Sequence, residues 1–411
     1  MWPSMTHWRD WAKPRFWPTG PGAPRAQSVR FSYEKCGLQI RDEPIPWCAE
    51  SVIVEVAVKM PAGVPRRRAD FRLDFPDRQT IVPDQFFRSD QSDEHIVSFR
   101  FPMLDRSGSV AMAWRSIRFA EISLPFLSCE EFIRNLRLER PTVFARIGED
   151  SVACQTFVVS QCREVMAAGL LDSPTSLAPV HDAGLTLDVR NERGEIVQSL
   201  PLRLTASQLA SRQALVALAL RRFPRRIGTW YVAWMIAGRP LAVAMMRGIS
   251  AAHFHRSLRS QDARFVVQPL RGAARPSRGL LPDHAFKSAA PCFIVTSREP
   301  GMAGKAAMQI VAHPQSAGVP TILWEDKMLI TDGPMRVAPV IVDRSALSTW
   351  TGFELRTPED TIATLSTSPI PSATFTGEAG FRPPGDYAWT PAADDELNDR
   401  LNRLSEDHEH P

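Results

Sequence analysis

"GSVAMAW" at residues 108–114 returns as "GTWYVAW" at 228–234, keeping the Gly and then Ala and Trp five and six positions on. Each Trp leads, after 18 or 20 residues, to a Phe-x-Arg-x-Leu-Arg element. In the first copy this is Phe132, Arg134, Leu136 and Arg137 within "CEEFIRNLRL", 129–138; in the second it is Phe254, Arg256, Leu258 and Arg259 within "AAHFHRSLRS", 251–260. Upstream, "HIVSFRF" and "ALVALAL" end seven and eight residues before the shared Gly. A repeat of this length marks tandem modules.

The repeated segments read as strands. Val97, Phe99 and Phe101 alternate, as do Val216, Leu218 and Leu220; Val110, Met112 and Trp114 alternate again, as do Trp230, Val232 and Trp234. Side chains two residues apart share a face of a sheet, so each set makes an apolar face. The turns "PMLDRSG" and "RRFPRRIG" are expected to join the strands as hairpins. The openings of the copies match more faintly: Phe31 stands five residues before Cys36, Phe157 five before Cys162, and Phe265 five before Leu270. With about seven strands in about 110 residues per copy, the expected fold is mainly β: tandem β-sandwich modules, immunoglobulin-like or similar, with a short C-terminal helix. Trp114 and Trp234 are then expected between the sheets.

The organisation that follows has residues 1–27 as a Trp- and Pro-rich leader, modules at 28–140 and 141–262, and a third β-rich module at 263–385. The third carries strands in "CFIVTS", "KAAMQIVAHP", "TILWEDKMLIT", "RVAPVIVD" and "FELR" but lacks the Gly-to-Ala-Trp signature. Residues 386–411 read as a helix and acidic tail: Thr390 as N-cap, Pro391 at the first position, and Leu397, Leu401 and Leu404 on one stripe. The 35 prolines against 22 glycines favour short extended segments and rigid turns over long helices.

Composition narrows the function classes. The chain of 411 residues carries a formal net charge of +4, and only six of its 49 basic residues are Lys, so charge is no nucleic-acid signature and no nucleic-acid partner is expected. The best apolar stretch, 214–246, is cut by "RRFPRRIG", and "MWPSMTHWRDWAKPRFWP" has charges where a signal peptide needs an apolar core. A cytoplasmic protein without a membrane span is expected. Six cysteines without a CxxC pair imply no zinc and no cofactor, and in a reducing compartment they read as small buried hydrophobes, with a Cys154–Cys162 disulfide as the alternative.

The familiar catalytic signatures are missing from the sequence. "GMAGKAA" at 301–307 lacks the early glycine and the hydroxyl residue of a phosphate loop, and no GxSxG or HExxH pattern occurs. His253 and His255 share a face only on a strand, and no third ligand accompanies them. Ser128 with Glu131, ahead of Phe132, resembles a capping box opening one helical turn, with Ser250 at the same place before Phe254. That makes the element a joint between modules, with Glu130 and Glu131 its replaceable part.

The function expected from all this is a non-enzymatic scaffold or adaptor that binds an unidentified protein partner, with Trp2, Trp8, Trp11 and Trp17 as the docking residues. Two other classes stay open. One is an enzyme or enzyme accessory module with its site in an inter-module cleft, using carboxylates such as Asp70, Asp74 and Asp77 or Asp182 and Asp188. The other is nucleic-acid binding through arginine turns, Arg66 to Arg68 or Arg221, Arg222, Arg225 and Arg226, with steep salt dependence.

Overall fold

The computed structural model describes residues 15–17, 23–41, 43–62, 67–76, 79–88, 94–103, 109–220, 226–270, 274–277 and 286–367. The chain is mainly β and builds tandem, immunoglobulin-like β-sandwiches. Thr390 and the C-terminal helix it was expected to cap lie outside the described residues.

One strand plan recurs three times. In the first copy a sheet runs Leu38–Arg41, Arg25–Lys35, Ser51–Lys59, His95–Pro102, and the facing sheet runs Thr80–Ile81, Phe71–Asp74, Ser109–Trp114, Ile117–Ser123. The second copy has Asp150–Ala153, Arg137–Ile147, Cys162–Asp172, Gln213–Ala219 facing Ile196–Pro201, Leu185–Asn191, Gly228–Ile236, Arg239–Ile249. The third has Arg275–Ser277, Leu258–Pro269, Phe286–Ser297, Met335–Val337 facing Thr321–Ile330, Met302–Pro314, Trp350–Arg356, Thr361–Ser366. The missing Gly-to-Ala-Trp signature therefore marks a changed sequence on an unchanged frame. Trp350–Arg356 takes that strand's place and buries Phe353 and Leu355 instead.

The alternation works as expected on each strand. Val97, Phe99, Phe101, Val110, Met112 and Trp114 are buried in one core, and Trp230, Val232 and Trp234 in a second. The hairpins, however, do not form. His95–Pro102 and Ser109–Trp114 lie in opposite sheets, and so do Gln213–Ala219 and Gly228–Ile236. Alternation says that one face is buried, and a sandwich offers two inner faces about 10 Å apart, a gap that a connection of several residues spans.

The faint match of module openings is corrected too. Phe31 and Phe265 are buried in the first strands of their copies, but the first strand of the second copy is Arg137–Ile147, with Val143, Ala145 and Ile147 turned into the core. Phe157 belongs to a separate short strand, Thr156–Val158, which joins the second and third sandwiches. Cys154 and Cys162 are free, and they flank Arg137–Ile147 on opposite sides, through Cys154 N–H to Val143 O and the pairing of Ile147 with Cys162. Two strand spacings of about 4.8 Å separate them, beyond the reach of a disulfide.

The Phe-x-Arg element is a short helix of seven residues, about two turns, in both copies, Cys129–Asn135 and Ala251–Ser257. Ser128 Oγ accepts from Glu131 N–H and Ser250 Oγ from His253 N–H, satisfying one of the orphan donors at each helix start. Phe132 and Leu136 enter the second core, Phe254 and Leu258 the third. Each turn thus opens the sandwich that follows it.

Candidate functional site

The two joints between sandwiches are built differently. At the first, Phe126–Leu127 pairs in parallel with Ile45–Pro46, and Trp47 of the first copy packs on Phe132 with ring centroids 5.9 Å apart. The segment around Ser173–Ala183 docks against the first sandwich through buried polar groups. Glu43, 8% exposed, accepts from Ser176 N–H at 2.7 Å and from Arg212 Nε at 3.0 Å. Tyr33 hydroxyl bonds Ser176 Oγ at 2.7 Å, and burial, partly offset by that bond, pushes the phenol well above its ordinary range. Lys35 Nζ meets Asp182 at 2.7 Å; burial opposes its charge, but the Asp182 hydrogen bond and charge prevail and raise its pKa.

At the second joint the backbone is shared. Thr156–Val158 pairs in parallel with Arg239–Ile249 on one side and Met302–Pro314 on the other, making one nine-stranded sheet. Successive side chains of this strand point to opposite faces, so Phe157 fills the second core and Val158 the third, both 0% exposed. Gln161 adds a side-chain rung: its Nε2 donates to Lys305 O and its Oε1 accepts from Lys305 N–H, both at 2.7 Å. Lys305 Nζ also pairs with Asp150 at 3.0 Å.

Beside this second joint opens a cleft of about 330 Å³, lined by Glu192, Ile227, Gly228, Thr229, Arg247, Gly248, Ile249, Ser250, His253 and Arg256. It lies where the Gly of the repeated strand meets the repeated helical turn. Glu299 organises one wall: Oε2 accepts from Arg247 at 3.2 Å and Oε1 lies 2.8 Å from His253 Nε2, while Ser297 Oγ accepts from the Glu299 backbone N–H. Glu192, the carboxylate of the lining, accepts from Thr229 N–H at 2.7 Å. Arg256 lays Nε on Ala252 O at 3.3 Å and is otherwise exposed. A second cavity, about 360 Å³, is lined by uncharged residues including Cys154, whose thiol burial pushes up to about 12. Such a thiol is no nucleophile near neutral pH.

The residues singled out from sequence are scattered. Of the tryptophans, Trp2, Trp8 and Trp11 lie outside the described residues. Trp17 is 40% exposed, its N–H donating to Phe119 O, just after the strand Arg15–Phe16 that extends the first sandwich along Ile117–Ser123. Asp70 pairs with Arg115, Asp74 with Arg72, Asp182 with Lys35, and Asp188 with Arg190 and Ser199; Asp77 lies outside the described residues. None of these described carboxylates faces another across a cleft. His253 and His255 diverge on their helical turn, His253 to Glu299 and His255 to within 3.5 Å of Glu359, and among the described residues no group of three metal-ligating side chains forms. Arg66, Arg221, Arg222 and Arg225 lie outside the described residues. No described helix is long and apolar enough to cross a membrane.

No protein-family model matches the chain, and no curated protein does. Similar solved structures include native alpha-2-macroglobulin from Escherichia coli spanning domains MG0-NIE-MG1, 8% identical over 84% of this chain and 97% of that one, with a TM-score of 0.25. Dimeric latent PorU from Porphyromonas gingivalis is 9% identical over 82% of this chain and 33% of its own, TM-score 0.22. A DUF4785 family protein from Legionella pneumophila is 9% identical over 87% and 92%, TM-score 0.16. These likenesses are of fold alone.

Proposed function

We propose that the chain is a non-enzymatic scaffold or adaptor that binds other macromolecules, in the first place a protein partner, through its tandem β-sandwich modules. The observation that carries this reading is the shared strand Thr156–Val158, whose neighbouring residues Phe157 and Val158 fill two different cores. Modules joined this way present their surfaces at a fixed spacing, and a preorganised surface binds without the entropy cost of arranging itself. A hinged enzyme that closes over its substrate would need the opposite. We place the module boundaries ahead of the helices Cys129–Asn135 and Ala251–Ser257, because residues 140 and 262 lie inside the strands Arg137–Ile147 and Leu258–Pro269. A cytoplasmic location belongs to the same proposal and is supported by six free cysteines, three of them buried.

Residues 1–27, with Trp2, Trp8, Trp11 and Trp17, are the proposed docking element. Trp17 supports it by exposing its ring at the edge of the first sandwich, where the Arg15–Phe16 strand anchors the segment. The test is affinity purification of the full chain from native lysate, against a chain that lacks residues 1–14 and carries Trp17→Ala, which spares the strands Arg15–Phe16 and Arg25–Lys35. A stoichiometric partner that the altered chain loses is the expected result. A chain that runs alone at every concentration and in every lysate would sink the reading.

A further inference from the structure

The two copies of the Phe-x-Arg turn keep one frame and carry opposite charge. In Cys129–Asn135, Glu130 and Glu131 outnumber Arg134, and Arg134 pairs with Glu130 at 3.5 Å. In Ala251–Ser257 the same two places hold Ala252 and His253, so Arg256 has no carboxylate one turn back. Among the described residues no acid pairs with Arg256, which is exposed and lines the cleft beside the second joint. Arg247 also lines the cleft, held in place by Glu299, and Glu192 is already engaged by Thr229 N–H. The replaced acids are where a cleft with two arginines has formed.

We propose that this cleft binds a carboxylate side chain from an acidic, extended segment of the partner protein, with Arg256 the main contact and Arg247 the second. The proposal rests on the partner-binding reading above and names the chemistry of the partner. A guanidinium fork matches a carboxylate in geometry as well as charge. Ile227, 69% exposed at the rim, offers an apolar contact to the residue next to the acid. A nucleic acid fits less well: the lining offers only the His253 ring for a base to stack on, and that ring is already held by Glu299.

The probe is a fluorescein-labelled octapeptide of alternating Glu and Val, titrated with the full chain and followed by anisotropy. Its Gln-for-Glu version and a labelled single-stranded oligonucleotide of eight nucleotides serve as comparisons. Arg256→Glu and the milder Arg256→Gln remove the main contact from an exposed position, and Arg134→Glu makes the same charge change on the other copy. Binding of the Glu/Val peptide is expected to weaken about tenfold or more in both Arg256 variants and to stay within about twofold in Arg134→Glu, with the Gln version unbound. No measurable binding of the Glu/Val peptide, an equal loss in Arg134→Glu, or tighter binding of the oligonucleotide would overturn the proposal. A natural partner that stays on the Arg256→Glu chain while the peptide does not bind would end this inference and leave the scaffold reading standing. Absence of any partner would instead strike the scaffold reading itself.

Discussion

Cys129–Asn135 and Ala251–Ser257 are the same device used twice: a serine cap, a short helix, a buried Phe and a buried Leu that start the next sandwich. Their surroundings differ. The first turn sits at a joint closed by buried polar groups, Glu43, Tyr33, Lys35 and their partners; the second sits at a joint closed by a shared strand and the Gln161 amide. The first turn is acidic and self-paired, the second basic and open to a cleft. What is repeated does the packing, and what differs is free to serve recognition.

The largest effect should come from the repeated part and should be the same in both copies. Phe132→Ala and Phe254→Ala each empty a buried site and are expected to cost about 3–5 kcal/mol, read as a loss of denaturant midpoint. If one costs much less than the other, the two turns are not equivalent devices.

The joints come next. Glu43→Ala leaves Ser176 N–H buried without its acceptor, at a cost of about 2 kcal/mol after allowing for the exposed side of Arg212. Gln161→Ala removes two rungs to Lys305, worth roughly 1–2 kcal/mol. Limited proteolysis should show each substitution opening its own joint and leaving the other protected. Ser128→Ala and Ser250→Ala should cost about 1 kcal/mol each, by the same unfolding measurement.

Alkali should separate the joints more gently. Because the Lys35 pKa is raised in the folded chain, its pairing with Asp182 contributes in full below the ordinary lysine range and is lost only as pH climbs through the higher folded value. The proteolytic opening of the first joint should therefore rise in strongly alkaline solution, and Lys35→Met should reduce that rise, leaving the part contributed by the buried Tyr33 phenol, which resists ionisation in the folded chain. The amide rung of Gln161 has no such dependence.

Much of the frame was legible in the sequence because burial leaves a period. The alternating Val97, Phe99 and Phe101, the Trp pair, and Ser128 and Ser250 ahead of a Phe all report local structure that local residues decide. Which sheet a strand joins is not local, and so the hairpins expected at 102–108 and 221–228 proved to be connections between sheets. Phe157 misled for a related reason: a buried Phe five residues before a Cys does not say which core it enters. Glu43 and Gln161 drew no expectation from sequence, since nothing near them shows that Ser176 or Lys305 will arrive. The cleft draws on Glu192, residues 227–229 and residues 247–256, so its one sequence trace was the loss of two acids between copies. Of the leader's four tryptophans, Trp2, Trp8 and Trp11 fall outside the described residues.

The central claim is that both joints are locked and the sandwiches hold a fixed spacing. Spin labels attached through an unnatural amino acid at Gln39, in the first sandwich, and at Thr364, in the third, report that spacing directly by double electron–electron resonance. A single narrow distance distribution, broadened by Gln161→Ala together with Glu43→Ala, is the predicted result. A broad or multi-peaked distribution in the unsubstituted chain would contradict it.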